Sequence, residues 1–290
     1  MKPFPIPVIG LGPGAQTEDE TLDYLPMPKD MDTYQPPVLP EPEQMAASVK
    51  ARLALQEVLA MLEQAGTGDG SAAGSQVSLA GLSPADRQLV NQVLGEGEAS
   101  ALVQDEPNQL EIRVQEAIFA GVWRIMTWRS GELVDDVIEV GPVPQLLRAL
   151  AKEDAQTSPP AWKGAVPLNV QNAPLLVDEV RDQVRRWQPG KAPHVVNLTL
   201  LPVTPEDIAF LDHQLGTGRV LLLSRGYGNC RITNTLLPNC WRVVYYNSMD
   251  KVILNTVEVV DMPEVALAAP EDLRDSHERM ADVLNWLEVA

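Results

Sequence analysis

The chain has 290 residues, 45% of them hydrophobic, and 40 acidic against 22 basic side chains give a formal charge of -18. That length builds one large core or two of about 100–150 residues, and so acidic a surface argues against a role on phosphate backbones or anionic membranes. No stretch reaches the roughly 20 apolar residues of a membrane span, prolines interrupt any secretory core near the start, and two cysteines suit a reducing compartment, so a cytoplasmic protein is expected.

Residues 1–44 hold ten of the 25 prolines, mixed with acids and turn formers, which favours a Pro-rich extended arm over a packed domain. Phe4, Ile6, Val8, Ile9, Tyr24, Leu25, Met27 and Tyr34 are the hydrophobes able to anchor it. Leu55, Val58, Leu59 and Leu62 recur at helical spacing and predict a helix over 44–64. The Gly/Ser-rich residues 65–75 then form a linker with nothing to bury. A short strand over 77–82 precedes Ser83, an N-cap, with Pro84 at the first helical position and Asp86 in the first turn. Leu89, Val90 and Val93 give this helix its buried face, and Gly95 stops it. Strands follow over 99–104, 110–115, 117–127 and 133–140, then a helix carrying Leu146, Leu147 and Leu150. The polar stretch 152–167 marks a boundary. A helix over 174–187 puts Leu176, Val180, Val184 and Trp187 on one side. Beyond it come a capped helix over 204–215, strands over 220–224, 230–236, 241–247 and 252–260, and a closing helix from Pro270 lined by Leu273, His277, Met280, Leu284 and Leu287.

The two halves repeat one another. Ser83-Pro84-x-Asp86 matches Thr204-Pro205-x-Asp207, and each is followed by Leu-Gly-x-Gly, at 94–97 and 215–218. Arg113, Trp123-Arg124, Glu139-Val140 and Pro144 match Arg231, Trp241-Arg242, Glu258-Val259 and Pro263, at offsets that drift only between 118 and 121. This is an internal tandem duplication. The expected class is α+β: a strand–helix–strands unit occurring twice, with mixed or antiparallel sheets covered by helices. The expected organisation is an arm over 1–44, a first repeat over 45–165, and a second repeat with the C-terminal helix over 166–290.

Catalytic chemistry has no foothold in this sequence. Ile9-Gly10-Leu11-Gly12-Pro13-Gly14 lacks the preceding strand and following helix of a nucleotide loop and is expected to be a turn. Cys230 and Cys240 are not spaced as metal-ligand pairs. At the repeat offset of 118 they fall on Ile112 and Val122, so they are expected to be packing residues. His194, His213 and His277 are isolated, and packing or capping is the expected role of each. No catalytic residue, metal ligand or cofactor site is expected, and the protein is expected not to be an enzyme. The distinctive short segments are glycine-rich: Gly95-Glu96-Gly97, and Gly226-Tyr227-Gly228-Asn229-Cys230-Arg231. Glycine there serves tight turns or leaves backbone open to a partner peptide. With Pro270-Glu271-Asp272, which begins the closing helix, these residues are the candidate partner-binding positions.

Several motifs together carry a resemblance. They are Leu94-Gly95-Glu96-Gly97-Glu98, Gln115-Glu116-Ala117-Ile118-Phe119 with Gly121 and Trp123-Arg124, Asn197-Leu198-Thr199, Gly226-Tyr227-Gly228, and Pro263-Glu264-Val265 continuing through Ala268-Ala269-Pro270-Glu271-Asp272-Leu273 to Ser276. Leu11-Gly12-Pro13-Gly14 adds to them. In these residues the chain resembles the HupH/HyaF family of hydrogenase expression/formation proteins. The resemblance implies a cytoplasmic accessory chaperone for the iron–sulfur small subunit of a membrane-bound uptake [NiFe]-hydrogenase, binding the precursor before twin-arginine export. It implies the small-subunit precursor, including its leader, and a thioredoxin-like accessory protein as partners, with no nucleic acid and no membrane insertion. The alternatives are a thiol-dependent redox or iron–sulfur-handling protein using Cys230 and Cys240, or a scaffold between accessory proteins.

Overall fold

The computed structural model describes residues 39–66, 75–156, 162–225 and 228–289. Most of the arm, its glycine turn at 9–14, most of the 65–75 linker, and Gly226 and Tyr227 lie outside the described residues. Among the described residues, ten strands and seven α-helices fall in two units. The described part of the first unit comprises residues 39–66, 75–149, 222–225 and 264–289, and that of the second comprises 150–156, 162–221 and 228–263.

In the first unit, α1 (Pro42–Ala47) and α2 (Val49–Gly66) replace the single helix expected over 44–64. The break is Ser48, whose φ of -105° and ψ of 85° are not helical. Its hydroxyl donates to Asp86 and accepts the Ala51 N–H, so it starts α2 rather than continuing α1. Then follow β1 (Gln76–Ser78), α3 (Pro84–Leu94), β2 (Ala99–Asp105), β3 (Leu110–Glu116), β4 (Val122–Arg129), β5 (Glu132–Val140) and α4 (Gln145–Asp154), whose last turn lies in the second unit. The strands pair in the order β1-β5-β4-β3-β2, every pair antiparallel.

The second unit holds α5 (Ala173–Arg186), β6 (His194–Asn197), α6 (Pro205–Leu215), the first two residues of β7 (Val220–Ser224), β8 (Asn229–Asn234), β9 (Cys240–Tyr246) and β10 (Val252–Val259), with strand order β7-β8-β9-β10-β6. The printed register pairs are again antiparallel. The sheets are therefore antiparallel rather than mixed. The closing helix, α7 (Pro270–Val289), packs in the first unit: Leu273, Met280, Leu284 and Leu287 join Leu55, Val58, Leu62, Val90 and Phe119 in one core. The second core gathers Val177 and Val180 of α5, Leu211 and Leu215 of α6, and Val196, Cys240, Val257 and Val259 of the sheet.

The duplication extends to individual hydrogen bonds. Ser83 and Thr204 each close a capping box with the aspartate three residues on. The Gly97 N–H donates to Glu116 O (2.7 Å) and the Gly218 N–H to Asn234 O (2.8 Å). The buried indoles of Trp123 and Trp241 donate to Gly141 O (2.9 Å) and Asp261 O (3.1 Å). One pair of sites has exchanged its acid. Arg124 grips Asp136 on β5 through two bonds of 2.9–3.0 Å and also reaches Asn91 on α3. At the matching places Arg242 faces Asp212 on α6 at 3.6 Å, and Asn255 stands on β10. One carboxylate per repeat answers the arginine, from the strand in one copy and the helix in the other.

The expected strand over 117–127 begins only at Val122, because residues 117–121 make a turn closed by Val122 N–H to Phe119 O at 3.0 Å. Gly121 sits there at φ +79°, and a Cβ on it would lie 2.1 Å from Leu273 Cδ2. The matching residue is Asn239 at φ +53°, a side chain that tolerates this region. Gly121→Ala is expected to cost about 2–3 kcal/mol, combining backbone strain with overpacking. Asn239→Gly should change stability by less than about 1 kcal/mol. Urea midpoints of the two variants check this, and equal midpoints would count against it.

Candidate functional site

The end of β3 organises a site in the first unit. Gly97 lies so close to it that a Cβ would fall 2.2 Å from Ala117 O, a contact that only glycine permits against a backbone atom. This close approach lays Gly95-Glu96-Gly97-Glu98 over Glu116. The next segment arrives through Arg225, whose N–H donates to Glu98 O at 3.0 Å just before the chain enters Gly226-Tyr227. The third is the start of α7, where Asp272 accepts the Ala269 N–H (3.2 Å) and Leu273 is buried against Gly121.

Glu116 is half-buried and accepts the Gly121 N–H at 3.1 Å. Burial pushes its carboxyl up to about 7; the backbone N–H groups of Gly121 and Ala99 pull the other way, and the like charges of Glu98 and Asp272 raise it further. Among the described residues no ion pair neutralises Glu98, Glu116 or Asp272.

The matching place in the second unit has the opposite solution. Asn234 stands where Glu116 does, and its side chain accepts the Val220 N–H (3.0 Å) while donating to Asp154 (3.0 Å). Arg219 stands where Glu98 does, and its Nε meets Asp154 at 2.6 Å. One unit therefore carries a guanidinium paired with carboxylates, and in the other, among the described residues, the carboxylates have no ion-pair partner. The chemistry of such a site is attraction of an arginine or lysine from outside. No group of three His, Cys, Asp or Glu among the described residues is placed to hold a metal ion.

Of the expected partner-binding residues, Gly95, Glu96 and Gly97 and Pro270, Glu271 and Asp272 lie on two of the segments that meet around Glu116. Gly226 and Tyr227 are outside the described residues. Gly228, Asn229, Cys230 and Arg231 belong to the second unit. Gly228 is exposed, and Arg231 lies over the Tyr246 ring at 5.9 Å. Cys230 is fully buried, so its side chain is not a surface contact. Glu98, Glu116 and Arg225 were absent from the expected set, although the contrast of Glu98 with Arg219 and Glu116 with Asn234 is readable from the repeat offsets.

The cysteines sit where the repeat comparison puts them, in the core. Burial pushes both thiols up to about 12, leaving almost no thiolate at neutral pH. Cys230 pairs with Tyr245 in the β8–β9 ladder, five rows from Cys240, or roughly 16 Å at strand rise. That is too far for a direct disulfide. His194 pairs with Glu179 at 2.8 Å, and His213 packs edge-on against Trp162.

Residues 48–165 and 170–287 each match the family described as "HupH hydrogenase expression protein, C-terminal conserved region", one match per repeat. The chain is 52% identical over 290 residues to the hydrogenase expression/formation protein HoxQ of Cupriavidus necator, covering 99% of each chain. It is 45% identical over 286 residues to the hydrogenase expression/formation protein HupH of Rhodobacter capsulatus, covering 97% of each. The hydrogenase-1 operon protein HyaF of Escherichia coli is 33% identical over 281 residues, 96% of this chain and 95% of that one. No helix among the described residues is long and apolar enough to cross a membrane. With both repeats matched and relatives similar along almost the whole length, the chain belongs to the HupH hydrogenase expression protein family.

Proposed function

We propose that this protein is an assembly chaperone for the iron–sulfur small subunit of an uptake [NiFe]-hydrogenase, holding the precursor in the cytoplasm before twin-arginine export. Relatives named as hydrogenase expression/formation proteins support the hydrogenase part of this reading. The observation that carries the precursor part is the acidic site at Glu98, Glu116 and Asp272, whose counterpart in the second unit is occupied by the protein's own Arg219. A twin-arginine leader presents guanidinium groups in a basic segment, and they are ion-pair partners of the kind Arg219 is in the second unit. Nothing in the geometry favours the thiol-dependent reading, because neither cysteine offers a thiolate.

Co-purification from cells producing the small-subunit precursor with and without its leader tests the proposal. The leader-bearing form is expected to associate more strongly, and added salt to weaken it, as screening requires. The double variant Glu98→Gln with Asp272→Asn should weaken binding about tenfold at low salt. Absence of association with either form would overturn the chaperone reading; equal binding by the double variant would remove the acidic site from it.

A further inference from the structure

The closing helix carries a side chain that its core does not use. α4, which follows the first repeat, has ten residues, and α7, which follows the second, has twenty. The buried side of α7 is filled by Leu273, Met280, Leu284 and Leu287. From Glu271 to Glu288 its exposed residues are polar or charged but for one, Trp286. That tryptophan is 49% exposed and takes no part in the core.

Helix spacing places Trp286 relative to the acidic site. Asp272, Arg279 and Trp286 are exposed and stand seven residues apart, so they form one line that drifts about 20° at each step. Val283, half-buried against the core, lies on the same flank between Arg279 and Trp286. The line passes the turn at 117–121. Arg279 lies over the Phe119 ring at 5.7 Å, and Leu273 meets Gly121, whose N–H donates to Glu116. Asp272 therefore ends the line beside Glu116, and Trp286 ends it about 21 Å further along the helix at 1.5 Å per residue. One turn beyond Asp272, Ser276 is buried with no partner for its hydroxyl among the described residues, a further acceptor at the charged end. The flank is acidic at one end and apolar at the other.

We infer that this flank of α7 is the track for the leader's apolar segment, with the arginines at Glu116 and Asp272 and the apolar residues that follow laid against Val283 and Trp286. The inference rests on the leader reading above and adds a direction to it: the leader runs parallel to α7. An export leader places its basic region before an apolar one of about 7–15 residues, the same order as the two ends of the flank. A span of about 21 Å takes roughly six residues extended or fourteen helical, and the apolar region supplies either. Tryptophan is a favoured anchor for such a contact. A second copy of the chain is a weaker occupant, because a two-fold contact here would set Asp275 and Asp282 of one copy against the same acids of the other.

The test uses the small-subunit leader fused to a soluble carrier, and the same fusion with its apolar segment replaced by glycine and serine. Trp286→Ala should weaken binding of the intact leader about tenfold, at low and high salt alike. It should leave binding of the glycine–serine form unchanged, whereas Glu98→Gln with Asp272→Asn should weaken both forms, and mainly at low salt. With the wild-type protein, a photoreactive group in the apolar segment should attach to residues 279–289, and one beside the arginines to residues 95–98 or 269–276. Unchanged binding of the intact leader by Trp286→Ala, or attachment of the apolar group away from α7, overturns the inference and leaves the leader reading standing. Failure of the intact leader to bind at all overturns both. A doubled mass that Trp286→Ala returns to that of one chain assigns the tryptophan to a second copy and overturns the inference equally.

Discussion

Asp207→Ala is expected to destabilise the protein by about 3 kcal/mol, because this buried carboxylate serves two helix starts at once. One oxygen accepts the N–H groups of Gln171, Asn172 and Ala173 at 2.8–2.9 Å, where α5 begins. The other accepts the Thr204 N–H at 3.0 Å, closing the capping box of α6. Truncation orphans four donors, three of them converging on one point that water does not readily replace. Burial raises the pKa of Asp207, but the backbone donors at Thr204, Ala173, Gln171 and Asn172 outweigh it and hold the carboxyl below its usual value. A depressed folded pKa contributes stability that is present above the unfolded value near 3.8 and is lost as pH falls through the folded one. The gap in unfolding free energy between wild type and Asp207→Asn, read from urea curves, should therefore be widest at neutral pH and shrink below pH 4. A gap that stays constant into acid would refute the assignment.

Glu116→Gln is expected to act in the opposite direction, raising stability by about 1–2 kcal/mol at pH 8 and leaving it nearly unchanged at pH 4. The folded carboxyl titrates near 7 and the unfolded one near 4.5, so between these values the folded chain keeps a proton that the unfolded chain has lost. Stability from that proton is complete below 4.5, declines as pH rises, and is gone above 7. Glutamine keeps an acceptor for the Gly121 N–H and removes the charge, which is the chemistry Asn234 already supplies in the second unit. Thermal melts of both proteins across pH 4–9 should converge in acid and separate through neutrality. The same titration bears on the proposed partner. A basic leader should bind more tightly as Glu116 ionises, so affinity for a leader peptide should rise between pH 6 and 8 in the wild type and be flat in Glu116→Gln. A stabilised variant that retains the pH-dependent affinity would separate the folding effect from the binding one.

The duplication was legible because local rules repeat with it. Ser83 and Thr204 announce helices by the same cap, and apolar spacing marks Leu89, Val90 and Val93 on α3 without reference to anything distant. The offsets also placed the cysteines, since a residue aligned with Ile112 or Val122 must fill core volume. Boundaries were harder where one residue decides them. Ser48 is an ordinary helix residue by pattern, and it ends α1 only because Asp86, 38 positions on, takes its hydroxyl. Ile118 and Phe119 are strand-forming side chains, and the turn at 117–121 depends on the positive φ of Gly121 and the space Leu273 leaves it.

The sequence by itself determined the repeated elements, the acidity and the burial of the thiols, because periodicity, capping and volume act over a few residues or between aligned copies. It also supplied the two loops and the acidic helix start singled out as binding positions. Only the tertiary structure decided that the Leu94–Gly97 loop and the start of α7 meet around Glu116: the Gly97 N–H donates to Glu116 O, whereas α7 arrives through Leu273 against Gly121, far away in the chain. The tertiary structure also decided that α7, written after the second repeat, fills the core of the first unit. An amphipathic helix fixes which of its faces is buried; what covers that face is set by the shape of the core that receives it.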